Sequence, residues 1–384
     1  MRLLDSVLSS LKKTKKPQRQ FVAHLLGLML MLPRHATFRN MSRYSSYHER
    51  TFARWYDTDL DWVALNKTAI TEVVPSAHDQ ALVIDASFVP KSGKHTYGLD
   101  GFWNGSHSRT EKGLEISTLA WLDLTAHCAY CLSVEQTPPS PDPSEPEATR
   151  MDVYLDQLSR VVTAHDLCFL RYVVADGAYS KQKFVAGVLD LGLHQIGKLR
   201  ADANLRYLYQ GPKRRGPGRQ KTYDGKVHFN DLSRFERLDP EDEHIVWYHR
   251  VLNHVQLKRN LLVMVVVNTQ HHRYAVLFST DVDLEPLRLY RYYKARFQIE
   301  FLFRDAKQFT GLSDCQARAK AKLDFHFNAS LSAVNLAKLA ARQQRGKTDE
   351  PISMASLKRQ AFNQHLLDRI CEHLANGQSL EKSS

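Results

Sequence analysis

The chain has 384 residues, 43% of them apolar and 24% charged, which excludes a disordered or fibrous protein and leaves room for two or three globular domains. A net charge of +12 points to a polyanionic partner. Five scattered cysteines, an odd number, argue against a secreted disulfide framework and for a reducing compartment, the cytoplasm.

Residues 1–75 read as helical. Their most apolar run, FVAHLLGLMLML (21–32), is too short to span a bilayer and lacks a small-residue cleavage site, so a buried helix is expected and no membrane partner. ATFRNMSRYSSYHERTFARWYDT (36–58) has the rhythm of a short helix, a Ser-rich turn and a second helix, as in a helix-turn-helix. Glu49, Arg50, Arg54 and Trp55 would lie on the second helix, and Arg50 and Arg54 are the candidate DNA contacts there. A plain helical hairpin with a basic surface fits the same pattern.

From residue 80 the period changes. ALVIDASFV (81–89) is a buried-strand pattern brought to an end by Asp85. LEISTLAWLDL (114–124) and HCAYCLSVEQT (127–137) are further strands; Cys128-x-x-Cys131 has no second CxxC to complete a zinc site. A Pro-rich loop (138–147) leads to an amphipathic helix (149–166). LRYVVADGAYS (170–180) is a strand stopped at Asp176-Gly177, followed by a helix (181–192) and the strand HQIGKLR (194–200). Residues 201–290 look β-rich, with strands at 243–252, 261–269 and 274–280. Within them, GPKRRGPGRQKTYDGK (211–226) is an exposed basic loop carrying Lys213, Arg214, Arg215 and Arg219. Helices are expected at 292–312, 330–344 and about 353–375.

The first of these, YYKARFQIEFLFRDAKQFTGL, is apolar on most sides, as in a buried helix. At about 100° per residue, Tyr293, Arg296, Glu300 and Lys307 fall within an arc of roughly 60°. Such a stripe faces either a cleft or solvent, where Arg296 and Glu300 would form an i,i+4 ion pair. Taken with the strand-end acids Asp85 and Asp176, Glu300 completes three hard oxygen ligands suited to two divalent ions. Nearby cations suit the negative charge of phosphoryl transfer better than acid–base chemistry on a sugar. No P-loop, nucleophile-elbow or HExxH motif is present.

With these residues placed, the chain resembles DDE transposases of bacterial insertion sequences, in the subgroup with a Tyr-x2-Arg-x3-Glu-x6-Lys signature. Tyr293, Arg296, Glu300 and Lys307 match that spacing, VIDASF supplies Asp85, and VADGAYS supplies Asp176. The resemblance implies an α/β fold: an RNase H-like core interrupted by a β-rich insertion and preceded by an all-α N-terminal DNA-binding domain. The expected divisions are 1–75 (helix-turn-helix-like), 76–200 (first part of the core), 201–290 (insertion), 291–345 (Glu-bearing helix) and 346–384 (helical tail). It implies Asp85, Asp176 and Glu300 as catalytic metal ligands for Mg²⁺, with Mn²⁺ able to substitute. Tyr293, Arg296 and Lys307 would bind phosphates of the transposon end, and Trp247 is the candidate for stacking on a flipped base. The implied partners are double-stranded DNA, both transposon ends and target, and a second copy of the chain in the DNA complex. The implied reaction is nicking followed by strand transfer, with a DNA hairpin as one route. A nuclease that cuts without joining, or a DNA-binding derivative without catalysis, would share these features.

Overall fold

The computed structural model describes residues 2–11, 13–138, 149–213, 215–216, 218–238, 244–345 and 352–375. Most of the Pro-rich loop and Arg214 of the basic loop thus lie outside the described residues. Five helices open the chain: α1 (Arg2–Ser10), α2 (Lys16–Met31), α3 (Phe38–Arg43), α4 (Glu49–Trp55) and α5 (Trp62–Val73). The run at 21–32 forms the body of α2, started by Pro17 in its first turn and buried through Phe21, Val22, Leu25, Leu26, Leu28 and Met29. Among the described residues no helix is long and apolar enough to cross a membrane.

Then come β1 (Gln80–Pro90), β2 (Asp100–Asn104), β3 (Arg109–Asp123), β4 (Cys128–Thr137), α6 (Arg150–Ala164), β5 (Tyr172–Val174), α7 (Gln182–Asp190) and β6 (His194–Leu199). The β-rich stretch holds β7 (Leu205–Leu208), β8 (Tyr223–Lys226), β9 (Glu236–Leu238), β10 (Ile245–His254), β11 (Arg259–Asn268) and β12 (Arg273–Ser279). The chain continues through α8 (Pro286–Ala295), α9 (Gln298–Asp305), α10 (Lys320–Arg345) and α11 (Met354–Ala375).

All the strands join one mixed sheet, ordered β2-β3-β1-β5-β6-β12-β11-β10-β7-β8, with β4 on β3 and β9 on β10. β1 runs antiparallel to β3 and parallel to β5, and β5 runs parallel to β6. Antiparallel pairing of β12 with β6 makes the β-rich stretch continuous with the rest. Side chains alternate across a strand, so the sheet has two apolar faces. Leu82, Ile84 and Val173 share one core with α1, α2, α5 and α6. Ala81, Val83, Val174 and Ile196 share another with α8 and α9. α10 lies between them, giving Phe325, Ala329 and Ala333 to the first and Leu323, Phe327 and Leu331 to the second.

Three sequence expectations change. Asp85 lies in the middle of β1, opposite Thr118 on β3, not at a strand end. The strand continues because β3 goes on pairing with it after β5 has stopped. The segment 292–312 is not one helix: it begins earlier, at Pro286, turns tightly at Arg296 and Phe297, and restarts as α9. It then finishes as a π-helical turn (Ala306–Thr310) capped by left-handed Gly311, φ 75°, where a Cβ would lie 2.6 Å from that of Ala36. α10 starts at Lys320, ten residues before the expected 330, since buried His326 and Asn328 find polar partners in Gly311 O and Val134.

Candidate active site

Strand register and side-chain parity bring the first two carboxylates together. β1 and β5 pair Leu82 with Val173 and Val83 with Val174. Continuing that parallel register two residues puts Asp85 beside Asp176, just past the end of β5. Both residues share the parity of Val83 and Val174, which face the core under α8 and α9. Asp176 is fixed by its own turn: its Oδ1 accepts from the Ala178 amide at 2.7 Å, capping a 3₁₀ turn (Gly177–Tyr179).

The third carboxylate arrives from the opposing layer. Tight i→i−3 bonds at Arg296 and Phe297, 3.2 and 3.3 Å, break the helix between α8 and α9. From this corner the Arg296 guanidinium reaches two acids, Asp85 Oδ2 at 3.2 Å and Glu300 Oε1 at 2.8 Å. Arg296 and Asp85 are nearly buried, their side chains 14% and 17% exposed, while that of Glu300 is 38% exposed. Tyr293 lies alongside, its ring centroid 6.0 Å from the guanidinium carbon. Lys307, on the π-helical turn, donates to Ser87 Oγ at 3.0 Å and Phe88 O at 2.8 Å. It therefore fastens the end of α9 to the continuation of β1.

The charge on Asp85 is set by its neighbours. Burial pushes the Asp85 carboxyl up from 3.8 to about 7, against the pull of Arg296; the negative charges of Asp176 and Glu300 push it further up. Burial opposes the charge on Arg296, but Asp85, Tyr293 and Glu300 raise its pKa above the ordinary value. Among the described residues no group of three acids, histidines or cysteines is assembled closely enough to ligate one ion. The chemistry of the donor set nonetheless suits a hard divalent cation: Asp85 and Glu300 share the Arg296 guanidinium, and the negative charges of Asp176 and Glu300 both press on Asp85.

A cleft of about 720 Å³ opens beside Asp176, lined by Lys198, Arg200, Tyr274, Tyr293 and Arg296 among others. Lys198, Arg200 and Tyr274 are not among the residues that sequence pattern alone picks out. The usable signal is parity in HQIGKLR, where Lys198 alternates with Ile196 and so shares its face.

The remaining candidates lie apart from this cluster. Trp247 is half-buried in β10, its ring 4.9 Å from that of Tyr290, with its buried Nε1 left without a partner. Lys213, Arg215 and Arg219 are exposed on the basic loop. Arg50 and Arg54 project from α4 into solvent, while Trp55 of the same helix stacks on Phe21 at 5.3 Å.

Residues 7–251, more than half of the chain, match the family described as DDE superfamily endonuclease. The chain belongs to that family. This makes it an enzyme with nuclease activity on DNA, from a family that generally uses divalent metal ions. The matched stretch contains Asp85 and Asp176 and stops before Glu300. Among solved structures, the catalytic domain of human Endonuclease V is 12% identical, aligned over 81% of this chain and 99% of its own, at a TM-score of 0.27. No curated protein matches the chain.

Proposed function

We propose that this DDE endonuclease is a DNA transposase, which binds insertion-sequence ends, nicks them and joins the freed 3′ end to target DNA. The observation carrying the reading is the convergence at Arg296. Asp85 on β1 meets Glu300 from α9 across one guanidinium, and Asp176 lies in neighbouring register just after β5. The strand order β4-β3-β1-β5-β6, antiparallel through β4, β3 and β1 and parallel from β1 to β6, supports an RNase H-like core. On that reading, β7–β12 are an insertion ahead of the Glu-bearing helix, and α1–α5 bind DNA through Arg50 and Arg54.

Asp85, Asp176 and Glu300 would hold Mg²⁺, or Mn²⁺ in its place. Such ions, when bound, sharpen the attacking oxygen and stabilise the leaving oxygen at phosphorus. Arg296 orients Asp85 and Glu300 and supplies positive charge beside the scissile group. Lys307 holds α9 against β1, so that Glu300 keeps its height above Asp85. The exposed cations of the basic loop add affinity for the DNA backbone without reading sequence. In the full reaction, two copies of the chain would pair the two transposon ends.

The test is an oligonucleotide carrying the element's end, incubated with the full chain, Mg²⁺ and a target plasmid. Joined products from the wild type, absent with Asp176→Ala, support the reading. Nicked ends that are never joined would leave a nuclease without strand transfer.

A further inference from the structure

In the proposed chemistry, positive charge must meet the phosphate at the reacting centre. The two cations of the helical signature are already engaged: Arg296 with Asp85 and Glu300, Lys307 with Ser87 and Phe88 O. Their charge shapes the protein before any nucleic acid arrives. Among the described residues, a cation with no protein partner of its own lies elsewhere in the cleft.

The sheet supplies one. β5 and β6 pair Tyr172 with His194, Val173 with Gln195 and Val174 with Ile196. Continuing that register by two residues puts Lys198 level with Asp176, as the β1–β5 register puts Asp176 level with Asp85. Three neighbouring strands thus offer Asp85, Asp176 and Lys198 in one row, on one face, about 4.8 Å apart from strand to strand. The close approach persists past the end of β5, since a Cβ at Gly177 would lie 3.3 Å from Lys198 O. Lys198 is exposed between buried Gly197 and Leu199 and lines the cleft that reaches Asp176, Tyr293 and Arg296. Among the described residues its ammonium has no hydrogen-bond or ion-pair partner. Its neighbour in the cleft, Arg200, is held by Asp202 at 2.9 Å.

We propose that Lys198 binds a non-bridging oxygen of the phosphodiester at the cleavage point, or of the one next to it, as a DNA strand lies in this cleft. The proposal rests on the DNA-cleaving reading of the carboxylates. It adds a fourth group to the three carboxylates, at the β6 end of the row. An ammonium there neutralises charge that builds on the phosphoryl oxygens as the attacking oxygen closes in. Lys198 binds substrate itself rather than acting through another side chain.

The test compares the full-length wild type with Lys198→Gln, Lys198→Arg and a charge-matched control, Lys183→Gln. Lys183 pairs with Asp152 on the surface, away from the cleft. Two readings are taken: Mn²⁺-dependent nicking of supercoiled plasmid, and binding of a labelled duplex in chelator across a salt series. Lys198→Gln should lower the nicking rate about a hundredfold and flatten the salt slope by about 1. Lys198→Arg should keep the slope and recover much of the rate, and Lys183→Gln should follow the wild type in rate. Melting curves that overlay for all four show that the fold is intact. Lys198→Gln with the rate and slope of Lys183→Gln overturns the proposal. A wild type that neither binds nor nicks DNA overturns the functional reading itself, and this inference with it.

Discussion

The acids around Arg296 and the cations of the 211–226 loop are both clusters of charge, yet they are built on opposite principles. In the first, each carboxylate is placed by a different element, a mid-strand position, a capped 3₁₀ turn and a helix restarted after a tight corner. Burial there makes the charges of Asp85 and Arg296 depend on their neighbours. In the loop, Lys213, Arg215 and Arg219 stand in solvent, where charges several ångströms apart interact weakly and salt screens them. Charge that is buried and coupled is specific and fragile. Exposed charge is tolerant and acts by its sum.

The widest separation between the two should appear in activity. Asp176→Ala or Asp85→Ala should reduce nicking by at least about a thousandfold while leaving DNA affinity in chelator close to wild type; substantial residual cleavage would remove these residues from the site. Next comes Arg296→Ala, which strips the shared partner from two acids and should destabilise the fold by about 2 kcal/mol in urea melts, less than for a fully buried pair because Glu300 is partly exposed. An unchanged midpoint would mean that Arg296 does not hold the acids together.

An effect on stability of comparable size follows from Asp85, whose carboxyl is pushed up to about 7. Between pH 4 and about 7 the native state keeps a proton that the unfolded chain has lost, so this residue's contribution to stability falls as pH rises through that window and is flat above it. Asp85→Asn should therefore raise the melting temperature in chelator more at pH 8 than at pH 5. An equal shift at both pH values would contradict the coupling. Smallest of all, replacing Lys213, Arg215 and Arg219 by Gln should leave the melting temperature within about a degree, since exposed substitutions rarely exceed about 0.5 kcal/mol. It should lower the salt slope of DNA binding by up to about 0.9 for each phosphate that the loop no longer neutralises.

Much of this organisation is legible in the residues. The apolar runs at 81–89, 170–180 and 261–269 specify strands because buried strands need continuous apolar sequence, and each is found in the sheet. Spacing put Tyr293, Arg296, Glu300 and Lys307 on one side; Tyr293 and Glu300 do lie against Arg296 although the helix is broken between them, and Lys307 reaches Ser87 and Phe88 of β1. The break has no Pro or Gly to announce it. It arises where Arg296 meets Asp85, a pairing of residues 211 apart in sequence.

The residues alone thus mark most of the strands and helices, the acids that lie beside apolar elements, and the spacing of Tyr293, Arg296, Glu300 and Lys307. These depend on local periodicity and on residue type. Only the assembled fold sets Asp85 mid-strand, holds Arg296 between Asp85 and Glu300 at the wall of the cleft, and brings Lys198 level with Asp176. Each of these follows from the register between strands distant in the chain, and a one-residue slip would turn the side chain to the other face. Register is fixed by which faces are buried against which helices, and that is settled only when the whole sheet is assembled.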